Sequence, residues 1–138
     1  MKKLNRIIIV DDDPINNMIC KAVIKNDYKA LDVVSFEHPE KALDYIKNEY
    51  SSEKTKESTI LLLDINMPII SGWQFLDHFG EFSFATKDAI IVYILSSSIS
   101  EIDKATAAKN NYIKGYLEKP FNNQTLSGIM RDLKLEAV

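Results

Sequence analysis

Short apolar runs that alternate with stretches of helical periodicity constrain this chain more than anything else in it. Ile7 to Val10 is a continuous β-branched run, the pattern of a strand covered on both faces. After it, Ile15, Met18, Ile19, Ala22 and Val23 recur at helical spacing, the stripe a helix turns toward a core. Asp13-Pro14 supplies an N-cap followed by proline at the first helical position. Leu31 to Phe36 predicts a second strand, and Pro39 opens a helix with Ala42, Leu43 and Ile46 on one stripe. The stretch from Tyr50 to Ser58 is polar and reads as an exposed loop.

Ile60 to Leu63 predicts the third strand, Ser71 to Phe82 the third helix, and Ala89 to Leu95 the fourth strand. A helix follows with Ile102, Ala105 and either Ala107 or Ala108 inward, and Ser98 with Glu101 is a candidate capping box. Tyr112 to Leu117 predicts the fifth strand, and the last helix carries Leu126, Ile129, Met130 and Leu133. Strict alternation of strand and helix implies an α/β protein, a doubly wound parallel sheet with helices on both faces. At 138 residues, 46% of them hydrophobic, one domain can bury a full core without disulfides. The expectation is a single domain over residues 1–138 with no second one.

Charge and cysteine content exclude other classes. A net charge of −3 gives no basic footprint for direct nucleic-acid binding. The one cysteine, Cys20, excludes an internal disulfide framework and reads as a small buried apolar residue. No run approaches the length of a membrane span, and the Met1-Lys2-Lys3-Leu4 start lacks an apolar signal core. A cytoplasmic location is the expectation.

In an open doubly wound sheet, the functional crevice lies outside the carboxyl ends of the strands. Those ends carry Asp11, Asp12 and Asp13 after the first strand, and Asp64 and Asn66 after the third. Ser96 follows the fourth and Lys119 the fifth. Asp12 and Asp64 offer only oxygen, which suits a hard divalent cation such as magnesium. A carboxylate can attack a phosphoryl donor to give an aspartyl phosphate. Lys119 would be a point charge for the phosphoryl oxygens, and Ser96 a hydroxyl donor to them. Asp13, standing before Pro14, is better explained as a helix cap than as a metal ligand.

The order and spacing of these motifs resemble a response-regulator receiver domain of two-component signalling, CheY-like and of the stand-alone type. The resemblance rests on Val10-Asp11-Asp12-Asp13-Pro14 and on Asp64-Ile65-Asn66-Met67-Pro68 with Gly72. Leu95-Ser96, Gly115-Tyr116 and Lys119-Pro120-Phe121 complete it. It implies a flavodoxin-like five-stranded sheet in the order 2-1-3-4-5. It also implies Asp64 as phosphoacceptor and Asp11 and Asp12 as the acidic pair. Asp12 would bind Mg2+ directly, Asp11 through water and Asn66 through its backbone carbonyl, together with Asp64.

Lys119 would contact the phosphoryl group, Ser96 would be the hydroxyl that moves toward it, and Tyr116 the aromatic that follows. Ser97 stays open as an alternative to Ser96 within the Ser96-Ser97-Ser98 run. The implied partners are a sensor histidine kinase or phosphotransfer protein and a downstream protein target. The implied state is a monomer or weak dimer.

Two other functions compete. A small phosphohydrolase with an aspartyl nucleophile would want an acid two residues after Asp64, where this chain has Asn66. A receiver fold used only as a binding module would lack part of the acidic and lysine set, all of which is present. The X–Pro bond at Lys119-Pro120 is a candidate for the cis form. Trp73, Phe75 and Phe79 are expected on the core side of the third helix, and His38 and His78 at the surface or in capping positions.

Overall fold

The computed structural model describes residues 3–50 and 57–137. Strands β1 (Lys3–Val10), β2 (Asp32–Phe36), β3 (Glu57–Leu63), β4 (Ile90–Ser96) and β5 (Ile113–Glu118) pair in the order β2-β1-β3-β4-β5. Every pairing is parallel. Helices α1 (Pro14–Asp27), α2 (Pro39–Glu49), α3 (Gly72–Gly80), α5 (Glu101–Lys109) and α6 (Asn123–Leu133) form the crossovers. The expected doubly wound fold and strand order are therefore present. Two small elements were not expected. Helix α4 (Phe84–Ala89) leads into β4, and β6 (Glu136–Ala137) pairs with β1 at Lys3 and Leu4.

Side-chain alternation along the strands splits the interior into two layers. Ile8, Val10, Leu61, Leu63, Val92 and Ile94 pack on Ala42, Ile46, Phe75, Leu76 and Phe79. Ile7, Ile9, Ile60, Leu62 and Leu95 pack on Cys20, Ile24, Leu126, Ile129 and Met130 on the other face. The central strands β1, β3 and β4 are covered on both sides over most of their length, which is why they read as apolar runs, while the edge strands β2 and β5 stay largely half-buried or exposed. Phe75 and Phe79 are buried and Trp73 packs partly buried beside them, as the sequence indicates.

Several local expectations change. On α1 the stripe of Ile15, Met18, Ile19 and Ala22 faces solvent, while Asn16, Asn17, Cys20 and Ile24 are buried. On α5, Ile102, Ala105 and Ala108 are exposed and only Ala107 turns inward. The cap of α5 is Ser100, whose side chain accepts the Asp103 N–H, and Ser98 instead donates its hydroxyl to the Asp103 carboxylate at 2.7 Å. The polar stretch before β3 is not all loop. Glu57 and Ser58 begin the strand, Ser58 is buried, and the Tyr50 hydroxyl bonds Thr59; residues 51–56 lie outside the described residues. His38 and His78 are exposed, and His38 occupies the N-cap position of α2 without a side-chain cap bond.

Candidate functional site

Sheet register brings the site together. Val10 pairs with Phe36 and with Leu63, Leu63 with Ile94, and Ser96 with Glu118. The ladder runs one residue further, because Asp11 N–H donates to the Phe36 carbonyl at 3.1 Å and Asp64 N–H to the Val10 carbonyl at 3.0 Å. Lys119 N–H likewise donates to the Ser96 carbonyl at 3.0 Å. The residues that leave β1, β3, β4 and β5 thus share one edge of the sheet. The Lys119–Pro120 bond is cis.

Asp11, Asp12 and Asp64 each offer a carboxylate oxygen, and these oxygens lie within 4.8 Å of one another. Asp11 is 2% exposed and Asp64 5%, whereas Asp12 stands exposed at the mouth. Lys119 Nζ sits 2.7 Å from Asp11 Oδ2 and 3.9 Å from Asp64 Oδ2. Burial first, and then the like charge of Asp11, push the Asp64 carboxyl up to about 6 against the pull of Lys119. Burial alone would lower the Lys119 ammonium, but its bond to Asp11 and the charges of Asp11 and Asp64 carry it above an ordinary lysine. Cys20 has its thiol pushed up to about 12 by burial and by Asp11, so it stays protonated and acts as core.

Hydrogen bonds show what each remaining residue does. Asp13 caps α1 by accepting the Ile15 N–H at 2.9 Å, which keeps it out of the acidic cluster. Asn66 is exposed beside Asp64, and its N–H reaches Asp64 Oδ1 at 3.4 Å. Ser96 is fully buried and its Oγ accepts the Ser98 N–H at 3.1 Å; Ser97 is exposed. Tyr116 is half-buried and donates its hydroxyl to the Ser98 carbonyl at 2.9 Å. Ser96 and Tyr116 are therefore linked through Ser98, a connection that the sequence did not disclose.

Two further contributions escaped the sequence. Asn16 and Asn17 are buried and donate to Asp11, the first to Oδ2 at 2.8 Å and the second to the backbone carbonyl at 3.0 Å. The available signal was two adjacent asparagines, poor helix formers, in the first turn after the aspartates. Gly72 opens α3 against the backbone of the site. A Cβ there would lie 2.5 Å from the Asp64 carbonyl oxygen and 2.8 Å from Ile65 Cα, so only glycine permits the approach.

The response regulator receiver domain family matches residues 7–131. This chain belongs to that family. A two-component response regulator from Cytophaga hutchinsonii is 27% identical to this receiver domain, with a TM-score of 0.84 over 96% of this chain and 98% of that one. A response regulator receiver protein from Dyadobacter fermentans is 24% identical, with a TM-score of 0.83 over 95% and 98% of the two chains. A CheY-like receiver domain protein from Methanospirillum hungatei is 22% identical, with a TM-score of 0.69 over 94% and 93%. The last two show shared fold. Comparison with curated protein sequences gives no match. Receiver domains serve signalling as switches rather than as enzymes with an external substrate, and their acidic pockets typically bind Mg2+.

Proposed function

We propose that this receiver domain is a phosphorylation-operated switch in which Asp64 accepts a phosphoryl group from a sensor histidine kinase or phosphotransfer protein. The observation that carries this reading is the buried Asp64 carboxylate, grouped with Asp11 and Asp12 and facing Lys119 at 3.9 Å. The donor set fits a hard divalent cation. It is all oxygen, from the carboxylates of Asp11, Asp12 and Asp64, and the family resemblance adds the Asn66 backbone carbonyl. Mg2+ bound there would supply the positive charge that offsets the clustered carboxylates and the incoming phosphoryl oxygens.

In the transfer, an Asp64 carboxylate oxygen attacks phosphorus and forms the O–P bond. The N–P bond of the donor phosphohistidine breaks, and its electron pair stays on the imidazole, which takes up a proton. Lys119 donates to the phosphoryl oxygens from its place beside Asp64. Ser96, buried at the end of β4 where Ser97 is exposed, supplies the hydroxyl that closes on the same group. Tyr116 follows through Ser98, favouring an alternative arrangement of the face formed by α5, β5 and α6. Water later attacks phosphorus, the O–P bond breaks, and the Asp64 carboxylate leaves with the bonding pair.

Exposed Ile15, Met18, Ile69 and Ile99 stand on the segments that follow β1, β3 and β4, the strands whose carboxyl ends carry the site. Such apolar exposure supports docking of the phosphoryl donor there. Among the described residues no helix is long and apolar enough to cross a membrane, and we place the switch in the cytoplasm. Acetyl phosphate with Mg2+ should add one phosphoryl group to the wild type and none to Asp64→Asn, read by intact-protein mass spectrometry. Equal labelling of both proteins would overturn the assignment.

A further inference from the structure

Helix α1 buries amides where it could have buried hydrocarbon. Asn16 and Asn17 are 7% and 5% exposed, while Ile15, Met18 and Ile19 remain 62%, 65% and 41% exposed. Burying an amide forgoes apolar transfer energy, a cost that its hydrogen bonds must offset. Both asparagines direct their donors at the same residue. Asn17 Nδ2 holds the Asp11 carbonyl at 3.0 Å and so secures the turn from β1 into α1. Asn16 Nδ2 reaches the Asp11 carboxylate itself, 2.8 Å from Oδ2.

Counting the bonds at Asp11 shows why that second contact matters. Each carboxylate oxygen has about two lone-pair sites. Oδ1 takes the Asp13 N–H at 2.9 Å, and Oδ2 takes both Asn16 Nδ2 and Lys119 Nζ. Lys119 is thus bonded to Asp11 at 2.7 Å and stands off from Asp64 at 3.9 Å. When Lys119 turns to oxygens carried on Asp64, Asp11 Oδ2 loses its ammonium partner while Asp11 stays almost wholly out of water. A buried carboxylate stripped of every donor on one oxygen would oppose that move. Asn16 is the donor left behind.

We propose that Asn16 is a positioning residue for phosphorylation, keeping Asp11 Oδ2 hydrogen-bonded when Lys119 passes from Asp11 to the phosphoryl group on Asp64. This rests on Asp64 as the phosphoacceptor and Lys119 as its phosphoryl partner. Asn16 touches neither phosphoryl group nor donor; it acts through Asp11. The contact matters most after Lys119 has moved, so its loss penalises the phosphorylated state more than the metal-bound, unphosphorylated one.

Calorimetry on the whole chain separates these states. Mg2+ alone probes the unphosphorylated pocket, and beryllofluoride with saturating Mg2+ probes the acyl-phosphate state. Asn16→Leu keeps the branched shape and removes the donor, and Asn16→Ala removes the donor without adding bulk, so one serves if the other folds poorly. Both should bind beryllofluoride about tenfold more weakly than wild type, equal to about 1.4 kcal/mol, with Mg2+ affinity within about threefold. Beryllofluoride affinity within about twofold of wild type would overturn the proposal, and so would Mg2+ and beryllofluoride affinities falling together, the mark of a merely structural residue. Failure of the wild type to bind beryllofluoride would instead overturn the reading of Asp64.

Discussion

The molecule handles charge differently in two places along β1. Near its amino end, Arg6 bonds Asp32 at 2.7 Å, approaches Glu49 at 3.7 Å, and lies over the rings of Tyr45 and Tyr50 at 5.7 and 6.0 Å. Both acidic partners are half exposed, so water screens what the guanidinium leaves unmatched. At its carboxyl end, three carboxylates are grouped, Lys119 reaches only Asp11 and Asp64, and those two are out of water. The first cluster leaves a single excess carboxylate in contact with water and ties strand to helix. The second carries surplus negative charge that the fold concentrates rather than disperses, and such a surplus marks a place built to receive something positive.

The largest break in that comparison comes from removing the shared cation. Lys119→Met should destabilise the metal-free protein by about 3 kcal/mol in urea unfolding, because Asp11 is left charged and buried. Saturating Mg2+ should recover a large part of the loss; no recovery would mean that the carboxylates do not form a cation site.

Acidity gives the next effect. The folded Asp64 carboxyl holds its proton to about 6, above its unfolded value of 3.8. Between these values the folded state binds more protons than the unfolded one, so metal-free stability falls as pH rises through this window. Mg2+ competes with that proton, so its affinity should climb over the same range. Thermal unfolding at several pH values should show the decline in wild type and lose that component in Asp64→Asn. At the amino end, Arg6→Met should cost only about 1 kcal/mol and shift little with metal, because its acidic partners reach solvent.

The smallest effect concerns backbone. Ile69, an exposed β-branched residue after Asp64, holds φ at 71°, a conformation that asparagine tolerates better. Ile69→Asn should stabilise the fold by about 0.5 kcal/mol in the same denaturation assay. A loss of stability would show that the Ile69 side chain contributes more than its backbone costs.

What the sequence disclosed follows from how local each signal is. Strands buried on both faces must be apolar throughout, so Ile7 to Val10 and Ile60 to Leu63 announced themselves, and with them the carboxylates at their ends. Helix α1 misled because its inner face is chosen by hydrogen bonds to Asp11, a tertiary demand that overrides the apolar stripe. Helix α4 is six residues long, too short for periodicity, and is held by the Ser83 cap and by Thr86 bonding the distant Tyr50 carbonyl. The two-residue β6 has no pattern to read. At the site, Asp11, Asp12, Asp64 and Lys119 were legible because strand ends locate them. The role of Ser98 between Ser96 and Tyr116 was not, since it depends on where a loop carbonyl points.

The close seat of Gly72 has a mechanical consequence. With no room for even a methyl group between α3 and the Asp64 carbonyl, and with the Gly72 N–H bonded to the Ile65 carbonyl at 3.0 Å, that side of the pocket is a stiff wall. At the end of β4, Ser96, Ser98 and Tyr116 are joined by single hydrogen bonds at a partly exposed loop, a more compliant part of the site. A load applied at Asp64 would therefore meet least resistance away from α3, in the loop that follows β4.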